Sequence, residues 1–219
     1  MKIFLDTASI DDIKQFVQFG IIDGVTTNPT HLYKAGKAPL DTVKEITSLL
    51  KNGVISVEVT EEEPDAVYQQ AKRIAHIAPN VVVKVPCHEK YYEVINKLVQ
   101  EEVPLNITLV FSLLQSLMMC KLGVRYISPF VGRLDDIDAD GSGLLHDLRQ
   151  MVDTYNFKTQ ILAASIRSVD DFHQAVMAGA DVVTLPTEVL RKALQHPLTD
   201  KGMKLFLDDW RKLGYKSFA

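Results

Sequence analysis

Eight times along this chain a short apolar run, rich in β-branched residues, gives way to a stretch with helical periodicity. That alternation restricts the fold more than any other feature. The apolar runs fall at 3–6, 24–27, 54–59, 81–86, 105–110, 126–131, 160–164 and 182–185. The helical stretches fall at 9–19, 41–51, 64–77, 89–101, 112–122, 142–155, 169–178 and 188–195, and one more helix is expected at 201–213. Strands separated by helices pair in parallel through right-handed crossovers. Almost continuously apolar runs are what strands buried on both faces show. Eight such units predict a (β/α)8 TIM barrel of the α/β class with an additional C-terminal helix, spanning 1–219 as one domain. A doubly wound open sheet fits the same pattern.

Composition narrows the partners. The 219 residues carry a net charge of −4, which argues against a nucleic-acid or anionic-membrane partner. No run approaches the roughly 20 apolar residues of a membrane span. The N-terminus meets Asp6 at once and lacks the apolar core of a signal peptide, so a cytoplasmic location is expected. Cys87 and Cys120 show no Cys-x-x-Cys or Cys/His spacing and read as reduced thiols. The six histidines form no pair at metal-binding spacing, and no metal is expected.

Polar residues that interrupt the strands carry the functional argument, because a buried polar side chain costs free energy unless it is paired or used. Lys84 stands inside Val81-Val82-Val83-Lys84-Val85-Pro86. An amine among apolar neighbours is driven toward its neutral form, and a neutral amine attacks a ketone to form an imine. A salt-bridged or snorkelling lysine is the plainer alternative. Asp6 ends the first strand and Glu58 lies near the end of the third. Two carboxylates at one barrel mouth can divide acid and base roles, or simply neutralise Lys84. Asn106 and Thr108 alternate on the fifth strand and share a face, suited to a ketose hydroxyl or a water. Ser128 and Phe130 share a face of the sixth, with Arg133 just beyond, and Ser165 and Arg167 follow the seventh. Two arginines and a serine converging there suit a phosphate monoester. Taken singly, each arginine reads as a surface ion pair.

At this point the sequence resembles the short transaldolases. The resemblance is carried by Phe4-Leu5-Asp6-Thr7-Ala8, Asp23-Gly24-Val25-Thr26-Thr27-Asn28-Pro29, Glu58 and Val83-Lys84-Val85-Pro86. It continues through 106–112 (Asn-Ile-Thr-Leu-Val-Phe-Ser), 127–133 (Ile-Ser-Pro-Phe-Val-Gly-Arg) and 163–167 (Ala-Ala-Ser-Ile-Arg). It implies a cofactor-free Schiff-base enzyme that moves a dihydroxyacetone unit between sugar phosphates of the pentose phosphate pathway. The donors would be fructose 6-phosphate and sedoheptulose 7-phosphate, and the acceptors erythrose 4-phosphate and glyceraldehyde 3-phosphate. By the same resemblance Lys84 is the Schiff-base lysine, and Glu58 and Thr108 hold a proton-moving water. Asp6 handles the proton of the C4 hydroxyl. Asn28, Asn106 and Ser128 hold the dihydroxyacetone hydroxyls, and Arg133, Ser165 and Arg167 grip the phosphate.

Fructose-6-phosphate aldolases are similar, but have glutamine at the position of Glu58 and tyrosine at that of Phe130. Phe130 cannot deliver a proton to water, so the bound intermediate is expected to wait for an acceptor aldose. A lyase of the aldolase type and a catalytically silent sugar-phosphate binder remain the two rival readings. Two segments depart from the resemblance, His31 and 87–92, and both are expected near the mouth. Leu205, Phe206, Leu207, Trp210 and Leu213 make the last helix unusually apolar. Short relatives form pentamers and decamers through this helix, which implies a homo-oligomer here.

Overall fold

The computed structural model describes residues 1–214; the expected domain limit at 219 runs past them. Strand β1 (Lys2–Asp6) is followed by helix α1 (Ile10–Val17), β2 (Gly24–Thr26), α2 (Pro29–Ala35), α3 (Pro39–Leu49), β3 (Val54–Glu58), α4 (Pro64–Ala75) and β4 (Val81–Pro86). A single 3-10 turn (Glu89–Tyr91) then leads into α5 (Tyr92–Gln100), β5 (Leu105–Val110), α6 (Leu113–Leu122), β6 (Tyr126–Pro129), α7 (Val131–Asp135) and α8 (Gly141–Thr154). The chain ends through β7 (Gln160–Ala163), α9 (Val169–Met177), β8 (Val182–Leu185), α10 (Thr187–Ala193) and α11 (Pro197–Lys212). The eight strands pair in sequence order and β8 closes on β1, so the sheet is a closed parallel barrel. Closure excludes the open-sheet alternative.

Local chemistry sets the helix starts. Ser9, Asn28, Ser112, Asp140 and Ser168 each accept an N–H of the first helical turn, and proline occupies the first turn of α2, α3, α4 and α11. Helix α2 lies where a loop is expected from the sequence. It is seven residues long and buries only Leu32, too little for an apolar period to show. Helix α7 takes Val131 from the end of the expected sixth strand and runs into the expected Gly/Asp-rich loop, and its five residues are too few for an apolar period to show. The sixth strand stops at Pro129, and Phe130 keeps only an isolated bridge to Ala164 before α7 begins.

The core has two parts because the barrel wall separates them. Outside the wall, Val25, Ile55, Val83, Ile107 and Ile161 meet Ile13, Phe16, Ile46, Val67, Ile95 and Leu148 of the helices. Each such fully buried side chain is worth about 1.5–3 kcal/mol. Inside it, Phe4, Val82, Tyr126, Leu162, Ala164 and Val182 form a separate plug. The rings of Phe4 and Tyr126 meet edge to face at 6.3 Å. Gly24 belongs to this plug by its smallness, since a Cβ there would lie 2.7 Å from the Phe4 ring.

Helix α11 contrasts with the rest. None of its residues is buried, and Leu198, Met203, Leu205, Phe206 and Leu207 are exposed. No helix among the described residues is long and apolar enough to cross a membrane.

Candidate active site

Strand side chains alternate between faces, so two residues beyond the apolar plug the chain returns to the barrel interior. There Phe4 gives way to Asp6, Val82 to Lys84, Tyr126 to Ser128 and Val182 to Thr184. The interior thus changes from apolar to polar in one step toward the C-terminal ends of the strands, the end at which barrels of this class carry their chemistry. Above that polar layer opens a cavity of about 470 Å³. Lys84, Asp6, Asn28, Asn106, Thr108, Ser128, Phe130, Arg133, Ser165 and Arg167 all line it.

Lys84 lies at the centre of a registered row. Glu58 on β3 faces it on one side and Asn106 on β5 on the other. Its Nζ is 3.1 Å from Glu58 Oε2 and donates to the Thr27 carbonyl at 3.1 Å. The residue is only 5 % exposed. The plainer sequence reading, a salt-bridged lysine, therefore describes the resting contact, yet the same amine also lines an open cavity.

Two hydrogen-bonded groups flank this row. Ser128 donates to Asn106 Oδ1 at 2.6 Å, and Asn106 Nδ2 donates to Ser56 Oγ at 3.2 Å. On the other side Thr26 donates to Asp6 Oδ1 at 2.9 Å, and the Thr26 and Thr184 hydroxyls lie 2.6 Å apart. Ser56, Thr26 and Thr184 escape sequence reasoning, because serine and threonine in a strand look ordinary. The hydroxyl of Thr108 is buried without a hydrogen-bond partner among the described residues. Such a group costs about 1–3 kcal/mol, so an unpaired hydroxyl on a residue that lines the cavity needs an explanation.

Burial pushes the Asp6 carboxyl up, but His31, Lys84 and Thr26 together hold it below its ordinary value. His31 Nε2 lies 3.4 Å from Asp6 Oδ1. Asn28 spends its Oδ1 on capping α2, accepting the His31 N–H at 2.9 Å, which leaves its amide nitrogen for the cavity.

The arginine pole differs in detail from the sequence expectation. Arg167 is clamped by both oxygens of Asp136, with Nη2 to Oδ2 at 2.6 Å. Arg133 lies over the Phe130 ring at 5.3 Å, and Phe130 meets Phe111 edge to face at 5.9 Å. Ser165 adopts φ 60°, a left-handed conformation that costs a non-glycine residue about 1–3 kcal/mol. Gly132 answers that turn, donating its N–H to the Ser165 carbonyl at 3.1 Å. A Cβ on Gly132 would stand 2.3 Å from that oxygen.

The two departures separate. His31 lines the cavity, and so does Lys34 one turn further along α2. The 87–92 segment leaves the mouth end of β4, where the Cys87 N–H donates to the Thr108 carbonyl at 2.8 Å, but it supplies no cavity-lining residue among those described. His88 caps the 3-10 turn, and His88, Glu89 and Lys90 face a groove against α4 instead. Burial raises the Cys87 thiol to about 11.

Comparison with known proteins identifies the family of the chain. The family model described as Transaldolase/Fructose-6-phosphate aldolase matches residues 3–217. A probable transaldolase of Hydrogenobaculum sp. (strain Y04AAS1) is 44 % identical over 218 residues, covering 100 % of both chains. One of Lactiplantibacillus plantarum is 46 % identical, covering 96 % of this chain and 97 % of its own. Probable transaldolase 2 of Listeria monocytogenes is 44 % identical, covering 99 % of each. Among solved structures, a doubly substituted flavocytochrome b2 with sulfite bound superposes with a TM-score of 0.60 at 14 % identity. It covers 85 % of this chain, which spans 56 % of that protein's length, so the likeness is one of fold alone.

Proposed function

This chain belongs to the transaldolase/fructose-6-phosphate aldolase family, and from that premise we propose that it is a transaldolase working through a Schiff base on Lys84. The observation that carries the reading is the Lys84–Glu58 pair, an amine 5 % exposed yet lining the cavity, with a carboxylate 3.1 Å away. Glu58 is within reach of the ammonium proton. Once that proton has passed to it, the neutral amine adds to the ketose carbonyl and water leaves. The iminium then draws in the electrons of the C3–C4 bond, while Asp6 takes the C4 hydroxyl proton. An aldose phosphate departs and a three-carbon enamine stays on Lys84. A second aldose phosphate receives this unit by the reverse steps, and hydrolysis of the new iminium restores the amine.

The remaining residues fit supporting roles in this proposal. Asn28, Asn106 and Ser128 hold the dihydroxyacetone hydroxyls, and the unpartnered Thr108 hydroxyl holds a water that Glu58 and Lys84 use. Arg133, Ser165 and Arg167 take the phosphate, Arg167 from a position fixed by Asp136. The substrates are fructose 6-phosphate or sedoheptulose 7-phosphate with erythrose 4-phosphate or glyceraldehyde 3-phosphate, in the non-oxidative pentose phosphate pathway. The transferase is favoured over the aldolase by Phe130, which lacks a hydroxyl to activate water beside the enamine. It is favoured over a silent binder by the buried amine, which binding alone does not require.

Borohydride reduction in the presence of fructose 6-phosphate tests the Schiff base. A mass increase of one reduced three-carbon or six-carbon unit, mapped to Lys84, is the expected result. An unmodified Lys84 under turnover conditions contradicts it.

The same proposal includes a cytoplasmic, homo-oligomeric protein, a pentamer or decamer. Sugar-phosphate substrates and two free cysteines support the location. The exposed apolar side chains of α11 support the assembly, because such a row exceeds what a solvated helix carries. A monomer by light scattering at micromolar concentration would remove it.

A further inference from the structure

The steps above give no task to His31, although it lines the cavity. Its place is fixed at the start of α2, where its backbone N–H is held by Asn28 Oδ1 at 2.9 Å. That anchoring presents the ring to β1, with Nε2 3.4 Å from Asp6 Oδ1. Thr26, from β2, donates to the same oxygen at 2.9 Å, and Thr184, from β8, lies 2.6 Å behind Thr26. Both contacts therefore fall on Oδ1. Among the described residues none hydrogen-bonds Oδ2, so that oxygen is left for the cavity.

We propose that His31 is a positioning residue for Asp6. Together with Thr26 it turns the carboxyl so that Oδ2 meets the substrate, and its contact with Oδ1 sets how readily that carboxylate accepts the hydroxyl proton during cleavage. This rests on the reading of Asp6 as the group that takes the C4 proton. The step balances without another reactant. The C3–C4 bond breaks, its electron pair enters the iminium on Lys84, the C4–O bond becomes a carbonyl, and the proton goes from that oxygen to Asp6. The same proton returns to the carbonyl oxygen of the incoming acceptor.

The charged groups around Asp6 determine the direction of the effect. His31 and Lys34 face it from α2, and Lys84 from β4 with its partner Glu58 on β3. Arg133 stands across the cavity on α7, and Arg167 beyond β7 is paired with Asp136. Thr26 and Thr184 are neutral. Burial raises the Asp6 carboxyl, and His31 opposes this both as a donor and as a charge, so the group lies below its ordinary 3.8. Removing the ring lets the carboxyl rise. Cleavage needs the carboxylate, so the acid-side loss of rate moves to higher pH when His31 is removed.

His31→Leu and His31→Gln separate the two contributions, because glutamine keeps a donor and loses the charge. Both are assayed for fructose 6-phosphate cleavage with saturating erythrose 4-phosphate across pH, and for borohydride adduct on Lys84 in the same samples. In His31→Leu, kcat is expected to fall by roughly tenfold through misorientation of the carboxyl, with the adduct retained and the acid limb moved to higher pH. In His31→Gln, kcat should return toward wild type and the acid limb should lie between those of His31→Leu and the wild type, because the hydrogen bond, the larger of the two lowering causes, is kept. Variants with wild-type kcat and an unmoved acid limb overturn the role of His31, and so does a variant that loses the adduct, which would put His31 before cleavage. An absent adduct in the wild-type protein instead overturns the Schiff-base reading itself, and this inference with it.

Discussion

Lys84 Nζ and Glu58 Oε2 lie 3.1 Å apart, on residues that face one another in register across β3 and β4. The pair balances its own charge in a nearly closed interior, so each partner depends on the other. Replacing Lys84 with Met is expected to abolish turnover and leave Glu58 without its counter-charge. Removing one partner of a buried pair costs about 3–5 kcal/mol, and the partial exposure of Glu58 places this case at the lower end. Adding Glu58→Gln should recover part of that loss, because it removes the orphaned charge. Urea unfolding of the two variants and the wild type checks the order, and a double variant no more stable than Lys84→Met contradicts it.

Thr108 offers the opposite balance of stability and activity. Its hydroxyl is buried and unpartnered, so Thr108→Val removes an unsatisfied group while keeping the shape. The variant should match or exceed the wild type in thermal stability, and its turnover should fall by roughly 10²-fold if the hydroxyl positions the water that moves protons. Unchanged turnover would mean that the hydroxyl is idle.

Phe130 is expected to protect the enamine by what it lacks. It is held between Phe111 and Arg133, so Phe130→Tyr would set a hydroxyl in a ring position already fixed by packing. Free dihydroxyacetone should then appear from fructose 6-phosphate without an acceptor. Its continued absence would undercut the account of why this chain favours transfer.

Cys87 adjoins the end of β4 but is expected to be inert. Burial raises its thiol to about 11, so the thiolate is a small fraction at neutral pH. Alkylation by iodoacetamide should be slow at pH 7 and accelerate steeply only as pH approaches that value. Rapid labelling of Cys87 at pH 7 would contradict this environment.

Much of this arrangement is readable in the chain itself, for a physical reason. Lys84 interrupts an apolar strand, and a charge there has few explanations. The period of two then leads from Asn106 to Thr108 and from Ser128 to Phe130. The resemblance to transaldolases assigned roles along the same positions. What stays hidden depends on side chains far apart in sequence. The clamp of Asp136 on Arg167 and the approach of His31 to Asp6 arise only once α7 and α2 are folded. Both helices are too short to show an apolar period. Thr26, Thr184 and Ser56 are hidden differently, since a hydroxyl in a strand looks the same whether it faces a core or a substrate.

The central claim is transfer through Lys84, and one measurement bears on it most directly. Glyceraldehyde 3-phosphate release from fructose 6-phosphate is followed with and without erythrose 4-phosphate. Sustained release that requires erythrose 4-phosphate and vanishes in Lys84→Met is the predicted result. Sustained release without an acceptor would make the chain an aldolase, and release that survives Lys84→Met would contradict the Schiff-base mechanism outright.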